Sequence, residues 1–381
     1  MLAATLPASP SWGTEPPSPD LTGRLCPLLP DLEKALQYYQ ELADGGEWPM
    51  VPTGPTLHEG ELGPRISLLR ARLVAGGDLA EATAEGEERF DAPLAAAVRS
   101  FQDRHGLKAD GVVGAATLAA LNVPIGERLR QLRVNLLRCQ PLPETLGARF
   151  IFVNIADFSL QLFEEGRPVL SMPVIVGKTY RQTPVLNSIV SVVVVNPSWE
   201  VPYTIARKDI LAHIRKEPDY LQQHNFRVFR GWSKDSEELD PAEIDWSNLS
   251  AKKFPFRLRQ EPGAANALGT LKFLFPNEHD VYLHDTPARE LFRRESRTFS
   301  SGCIRIARPL DLAVHLLRGT PLGEAEALNA AIAGGKTMQV RTPSPIAVHV
   351  VYMTAWVDTD GVLQFRPDIY SRDGAPGSAT P

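Results

Sequence analysis

The sequence predicts a multidomain α+β protein, and three observations carry that reading. A chain of 381 residues is longer than one typical domain and suits roughly two or three. Apolar residues recur at helical spacing through about 31–138. From Arg149 the period switches to two, the mark of half-buried strands. Hydrophobic residues at 43% and charged residues at 22% are ordinary for a globular chain. A net charge of -5 without a strongly basic patch argues against a nucleic-acid partner. The longest apolar run, about Ile189 to Val195, falls well short of the ~18 residues that a spanning helix needs. No integral membrane segment is expected, and the β-branched run reads as a buried strand.

Residues 1–30 are rich in Pro, Ser and Thr without apolar period, and are expected to be disordered. They show neither the basic n-region nor the apolar h-region of a signal peptide. Leu32, Leu36, Tyr39 and Leu42 then mark an amphipathic helix ended by Gly45-Gly46, giving a scaffold segment over 31–56. A three-helix module follows over 57–123. Ile66, Leu69 and Leu73 mark its first helix. Leu94, Val98 and Phe101 mark the second, with Asp91 as N-cap and Pro93 in the first turn, and the third runs from about Ala115 to Leu121. Leu129, Leu132 and Leu136 define a linker helix within 124–147. A β-rich domain is read over 148–340, opening with a hairpin at Glu165-Gly166. Residues 341–372 read as strands returning to the scaffold, around a turn at Asp360-Gly361, and 373–381 as a disordered tail. Between about 200 and 260 the alternation breaks into a charged stretch with helical character. This is an insertion, either a lid over a site or a surface excursion, and the lid is the favoured reading.

The chemistry concentrates in residues 281–309. His284 and Cys303 lie nineteen positions apart. Only a thiolate attacks, and an imidazole is suited to generating it near neutral pH. Gly302 permits close approach of backbone to substrate. The N–H groups of Gly302 and Cys303, leading into a helix at 310–317, suit an oxyanion hole, and Ser300 and Ser301 can brace that loop. Taken alone, a single cysteine is more often a small buried hydrophobe. A metal is not expected: His279 and His284 would point to opposite faces of a strand, and no CxxC accompanies them. The other cysteines are Cys26 and Cys139, and a pair between them stays open.

Two stretches resemble known families. FDAPLAAAVRSFQDRHGLKADGVVGAATLAALNV resembles the peptidoglycan-binding domain 1 family, which implies glycan or stem-peptide binding, with a purely scaffolding role as the alternative. VYLHDTPARELFRRESRTFSSGCIRIARP resembles the active-site motif of the L,D-transpeptidase catalytic domain, the YkuD family. That motif has a histidine, a spacer, then Ser/Thr-His-Gly-Cys. Here Ser301 replaces the second histidine, as in the large periplasmic subgroup carrying LHDTP and SSGC. PGAANALGTLKFLFPN, VIVGKTYRQTPVLNSIVSVVVVNPSWEVP and TAWVDTDGVLQFRPDIY extend the likeness to about 30–372.

The resemblance implies a sandwich-type catalytic domain with a capping insertion. Cys303 would be the acyl-accepting nucleophile, and His284 the base and later the acid. Gly302 and Cys303 would supply oxyanion N–H groups. Tyr282, on the strand face of His284, would add a hydroxyl. Arg305 would bind a substrate carboxylate, although packing or a surface ion pair would equally explain Tyr282 and Arg305. Ser300 and Ser301 would also bind substrate, and Asn266, Trp199 and Tyr203 would line a donor groove. Asp285 should point away from the His284 side chain, leaving a backbone carbonyl to orient the imidazole. The implied reaction releases D-alanine from a tetrapeptide, forms a thioester and makes a 3→3 cross-link at the cell envelope. Its partners are donor and acceptor peptidoglycan stem peptides, with carbapenem β-lactams as covalent inhibitors. No metal or organic cofactor is called for, because thiol and imidazole supply the chemistry. The alternatives are an L,D-carboxypeptidase using water, a transferase anchoring protein to the wall, and a non-catalytic wall-binding protein.

Overall fold

The structure is a computed structural model and describes residues 29–80, 88–139, 142, 146–233 and 235–374. It divides into two compact units, 1–148 with 154–157 and 351–381, and 149–153 with 158–350. Most of the expected disorder at 1–30, Cys26, and most of the tail at 373–381 lie outside the described residues.

In the first unit, helices α1 (Leu29–Asp44), α2 (Pro64–Ala75), α3 (Ala92–Arg104), α4 (Ala115–Leu121) and α5 (Ile125–Cys139) follow the apolar periodicity. Leu69, Leu73, Phe90, Leu94, Val98, Phe101 and Leu121 close a core among α2, α3 and α4. Asp91 caps α3, its carboxylate accepting the Leu94 N–H at 2.9 Å, as its side-chain chemistry favours. A two-stranded ribbon, Ala355–Val357 with Leu363–Phe365, completes this unit. Phe365 meets Tyr39 of α1 edge to face at 5.7 Å, and Gln131 of α5 donates to the Thr354 carbonyl at 2.9 Å. Cys139 is buried.

The second unit is built on strands β1 (Arg149–Asn154), β2 (Ser159–Glu164), β3 (Arg167–Gly177), β4 (Leu186–Val195), β5 (Trp199–Glu200), β6 (Phe226–Arg230), β7 (Glu238–Leu239), β8 (Phe256–Gln260), β9 (Leu271–Leu274), β10 (Leu283–His284), β11 (Thr298–Ser300), β12 (Ile304–Ile306) and β13 (Met338–Val351). Nine form one sheet in the order β11-β3-β12-β10-β9-β4-β13-β1-β2, and β2 pairs again with β3. The sheet therefore curls back until its last strand meets its second. Positive φ at Glu165 (48°) and Gly166 (74°) makes the tight β2–β3 turn, the geometry a two-residue hairpin requires. Val174, Val176, Val193, Phe273, Leu283, Ile304, Ile306 and Val348 are fully buried.

Two expectations are corrected here. A boundary at 340/341 would cut β13, which runs along β4 from Met338 opposite Val195 to Val350 opposite Leu186. The prolines at 343 and 345 hid this strand. A register shift between Arg341 and Ile346 accommodates them, since proline cannot donate to a ladder. The insertion at 200–260 is likewise more than helical. Short helices α6 (Tyr203–Ile205), α7 (Leu211–Lys216) and α8 (Tyr220–Gln223), with a π-helical turn at Ala206–Ile210, pack on a second sheet in the order β5-β8-β6-β7. Its strands were disguised by arginines alternating with apolar residues in FRVFR and FRLRQ. The guanidinium of Arg257 lies 4.1 Å from the Phe229 ring and covers it.

Candidate active site

Strand β10 lies between β9 and β12. His284 sits opposite Lys272 on one side and opposite Arg305 on the other. Paired residues share a face of a sheet, as do alternate residues along a strand. Lys272, His284 and Arg305 thus form one cross-strand row. Tyr282 and Cys303, each two residues earlier, project from the same face. This register closes the nineteen-residue gap between imidazole and thiol. The chain leaves β10, turns through a 3-10 segment at Arg289–Arg293, and returns through β11.

The loop before Cys303 is held from both sides. Gly302 has φ +119°, a conformation that favours glycine, and its missing side chain would meet only the Gln182 carbonyl at 3.8 Å. The glycine is needed for its backbone conformation more than for space. The Gly302 N–H donates to Ser300 Oγ at 3.1 Å, and Ser300 in turn donates to the Cys303 carbonyl. Buried Thr183 donates to the Gly302 carbonyl and accepts the Gly177 N–H, both at 2.8 Å. The Gly302 N–H, expected in an oxyanion hole, is therefore committed to the loop. Among the described residues the Cys303 N–H meets no acceptor. Strand β12 separates Cys303 from helix α9 (Pro309–Leu317), so this cysteine does not lead directly into a helix as expected. Ser301 is exposed and accepts from Arg181 at 2.9 Å, and Arg181 pairs with Asp209 of the insertion at 2.6 Å.

His284 is buried, with Nδ1 2.6 Å from the Asp285 carbonyl oxygen. A carbonyl only accepts, so Nδ1 carries the proton and Nε2 is left bare. The Asp285 carboxylate turns away, accepting from the Thr270 N–H at 2.9 Å and pairing with Arg289 at 3.1 Å. Burial lowers the imidazole to a pKa of about 3, and the Arg305 and Lys272 cations push the same way against the Asp285 carbonyl. Burial pushes the Cys303 thiol up, while hydrogen bonds from Tyr282 and the charges of Lys272 and Arg305 pull it down. The Tyr282 phenol, raised by burial and then by the neighbouring thiol, is held between Cys303 and the indole of Trp199 in β5. An indole N–H can only donate, which leaves the phenol proton for the sulfur side. The thiol itself reaches the Asp280 carbonyl at 3.9 Å, and no hydrogen bond joins it to the imidazole.

Asn266 does not line a groove. It is fully buried, with Nδ2 on the carbonyls of Pro197 (3.1 Å), Gln260 (3.3 Å) and Glu261 (2.9 Å), and Oδ1 on the Leu268 N–H (2.8 Å). Such a residue braces the backbone. Asn266→Ala is expected to lower stability by about 2–4 kcal/mol, because buried partners lose their bonds. The urea midpoint should fall while KM of the folded enzyme stays put. Tyr203 stands on the insertion, half exposed, edge-on to Trp232 at 5.4 Å and beneath Arg207 at 5.0 Å. None of these contacts reaches Cys303 or His284. Lys272 is the site residue that sequence reasoning missed. Its only signal was a lone lysine inside the apolar strand LKFL.

Residues 148–322 match the YkuD family, described as "L,D-transpeptidase catalytic domain", and residues 63–121 match a "Putative peptidoglycan binding domain". A curated protein of Haemophilus influenzae named "Putative L,D-transpeptidase" is 37% identical over 244 residues, covering 64% of this chain and 48% of that protein. The chain thus spans about half the length of that relative. Among solved structures, an L,D-transpeptidase of Xylanimonas cellulosilytica covers 78% of this chain and 98% of its own, at 15% identity and TM-score 0.23. L,D-transpeptidase 3 of Mycobacterium tuberculosis covers 53% and 60%, at 12% identity and TM-score 0.26. Superpositions this loose say nothing about the site. Residues 148–322 thus match the catalytic-domain family of L,D-transpeptidases, on the same chain as a segment at 63–121 that matches a putative peptidoglycan-binding domain.

Proposed function

We propose that this chain forms 3→3 peptidoglycan cross-links through a thioester on Cys303. The observation that carries the reading is the shared face of β10 and β12, which gathers the thiol, a bare imidazole nitrogen and a phenol. In the first step Cys303 Sγ attacks the carbonyl that joins the third stem residue to a terminal D-alanine. His284 Nε2 takes the thiol proton and passes it to the departing amine, so D-alanine leaves and a thioester remains. In the second step the side-chain amine of another stem peptide attacks. His284 takes its proton and returns it to the sulfur as the thiolate departs. The Cys303 N–H and the Tyr282 hydroxyl face the developing oxyanion, while Ser300 and Thr183 hold the loop rather than the substrate. Arg305 keeps a buried Nε without a hydrogen-bond partner, a donor suited to a substrate carboxylate. Sulfur and imidazole need only close the remaining gap on substrate binding, as catalytic contacts commonly do.

A carbapenem presents an acyl group to the same sulfur and should acylate it. The module at 63–121 would hold the enzyme on glycan or stem peptides, and the substrate places the reaction in the cell envelope. Incubation with a disaccharide-tetrapeptide, followed by mass spectrometry, tests this reading. A dimer lighter than two monomers by one D-alanine and carrying a 3→3 bond is expected. A tripeptide monomer alone would make water the acceptor, and unchanged substrate would overturn the assignment.

A further inference from the structure

We propose that Lys272 is a specificity-determining residue, forming with Arg305 a two-cation subsite for the free carboxylate of the leaving D-amino acid. This deepens the reading above and rests on it for the identity of the donor. The row of β9, β10 and β12 sets Lys272 and Arg305 on either side of His284, both on the face of Cys303. The Lys272 ammonium lies 3.7 Å from the centre of the Tyr282 ring, whose hydroxyl reaches the sulfur.

Neither cation is in direct contact with a carboxylate. In the same unit Arg149, Arg181 and Arg257 find Glu164, Asp209 and Glu200 within 3.1 Å. Among the described residues no carboxylate stands within ion-pair distance of Lys272 or Arg305, and the Arg305 Nε is buried and unbonded. Burial penalises both cations in the empty site, and Asp280 near Lys272 and Glu290 near Arg305 offset that only from beyond ion-pair distance. A bound carboxylate removes that penalty. In a donor ending in one D-amino acid, the terminal carboxylate is joined to the scissile nitrogen through a single carbon. It therefore falls within a few ångströms of the attacked carbonyl, where these cations stand. A donor one residue longer carries its carboxylate about 3.5 Å further away, beyond the pair. The subsite would thus select donors whose leaving group is a single amino acid.

Alkylation of Cys303 by iodoacetate and by iodoacetamide, scored by peptide mass, tests the subsite without transpeptidation. Any change in thiolate population affects both reagents alike, so the ratio of their rates reports the local field on an incoming carboxylate. The wild-type iodoacetate-to-iodoacetamide ratio is expected about tenfold above that of Lys272→Gln, as one nearby, partly screened unit charge implies. Lys272→Arg should keep the wild-type ratio, which guards against a folding defect in the glutamine variant. Equal ratios in wild type and Lys272→Gln would overturn the subsite, whatever the enzyme does to peptidoglycan. With tetrapeptide donors, amidating the terminal carboxylate should lower wild-type kcat/KM about tenfold and lower that of Lys272→Gln, which keeps only Arg305, by clearly less. A wild type indifferent to amidation would overturn the assignment of that carboxylate. If neither donor turned over, the transpeptidase reading would fall while the alkylation ratio still decided the subsite.

Discussion

Cys303→Ala should abolish D-alanine release and leave no covalent adduct with a carbapenem, a loss of at least about 10³-fold in turnover. The fold should be unaffected, because the backbone around the thiol is held without it. Ser300 and Thr183 bond to main-chain groups of Gly302 and Cys303, which an alanine retains. The sulfur's own contacts are a long approach to the Asp280 carbonyl and its bonds with Tyr282. Removing them should change stability by about 1 kcal/mol or less, since weak polar contacts contribute little net. Cys139 is buried in the other unit and offers no substitute nucleophile. Intact-mass measurement of wild type and variant after carbapenem treatment, beside their melting curves, separates the outcomes. An undiminished adduct on the variant would place the reactive group elsewhere.

What the sequence disclosed depended on whether a local rule reached the residue. Alternation along VYLH put Tyr282 beside His284 and turned Asp285 away, and the strand geometry agrees on both. A backbone carbonyl as the orienter of the imidazole followed from the same rule. The Gly302 N–H was misjudged because its fate depends on the rotamer of Ser300, which no spacing encodes. The family resemblance put Asn266 in a groove and said nothing of what its side-chain donors and acceptor meet. Only the fold shows all of them engaged by the turn it stabilises. Lys272 was invisible for a different reason. Its neighbourhood with His284 comes from the pairing of β9 with β10, and a single sequence does not state which strands pair. The insertion's sheet was hidden by arginines whose stems serve as apolar cover.

His284→Gln should lower kcat/KM by about 10²–10⁴-fold, because an amide cannot take the thiol proton or return it to the leaving amine. Glutamine should also flatten part of the pH response, and the direction follows from the surroundings of the ring. Burial, Arg305 and Lys272 all penalise the imidazolium, and the Asp285 carbonyl only partly offsets them. A histidine lowered to about 3 stays neutral through the whole range from about pH 4 upward, so the free enzyme should show no inflection near the ordinary value of about 6.5. The thiol moves the other way, raised by burial, so thiol and imidazole are both neutral in the free enzyme and kcat/KM should run level across neutral pH. A substrate carboxylate between the two cations would cancel much of their field and make the ring more basic. The acid limb of kcat, which reports the complex, should therefore lie at higher pH than that of kcat/KM. Profiles from pH 4 to 9 with a tetrapeptide donor measure both. An inflection near 6.5 in kcat/KM that vanished in His284→Gln would mean a solvated imidazole, and the row Lys272–His284–Arg305 would not be packed as described.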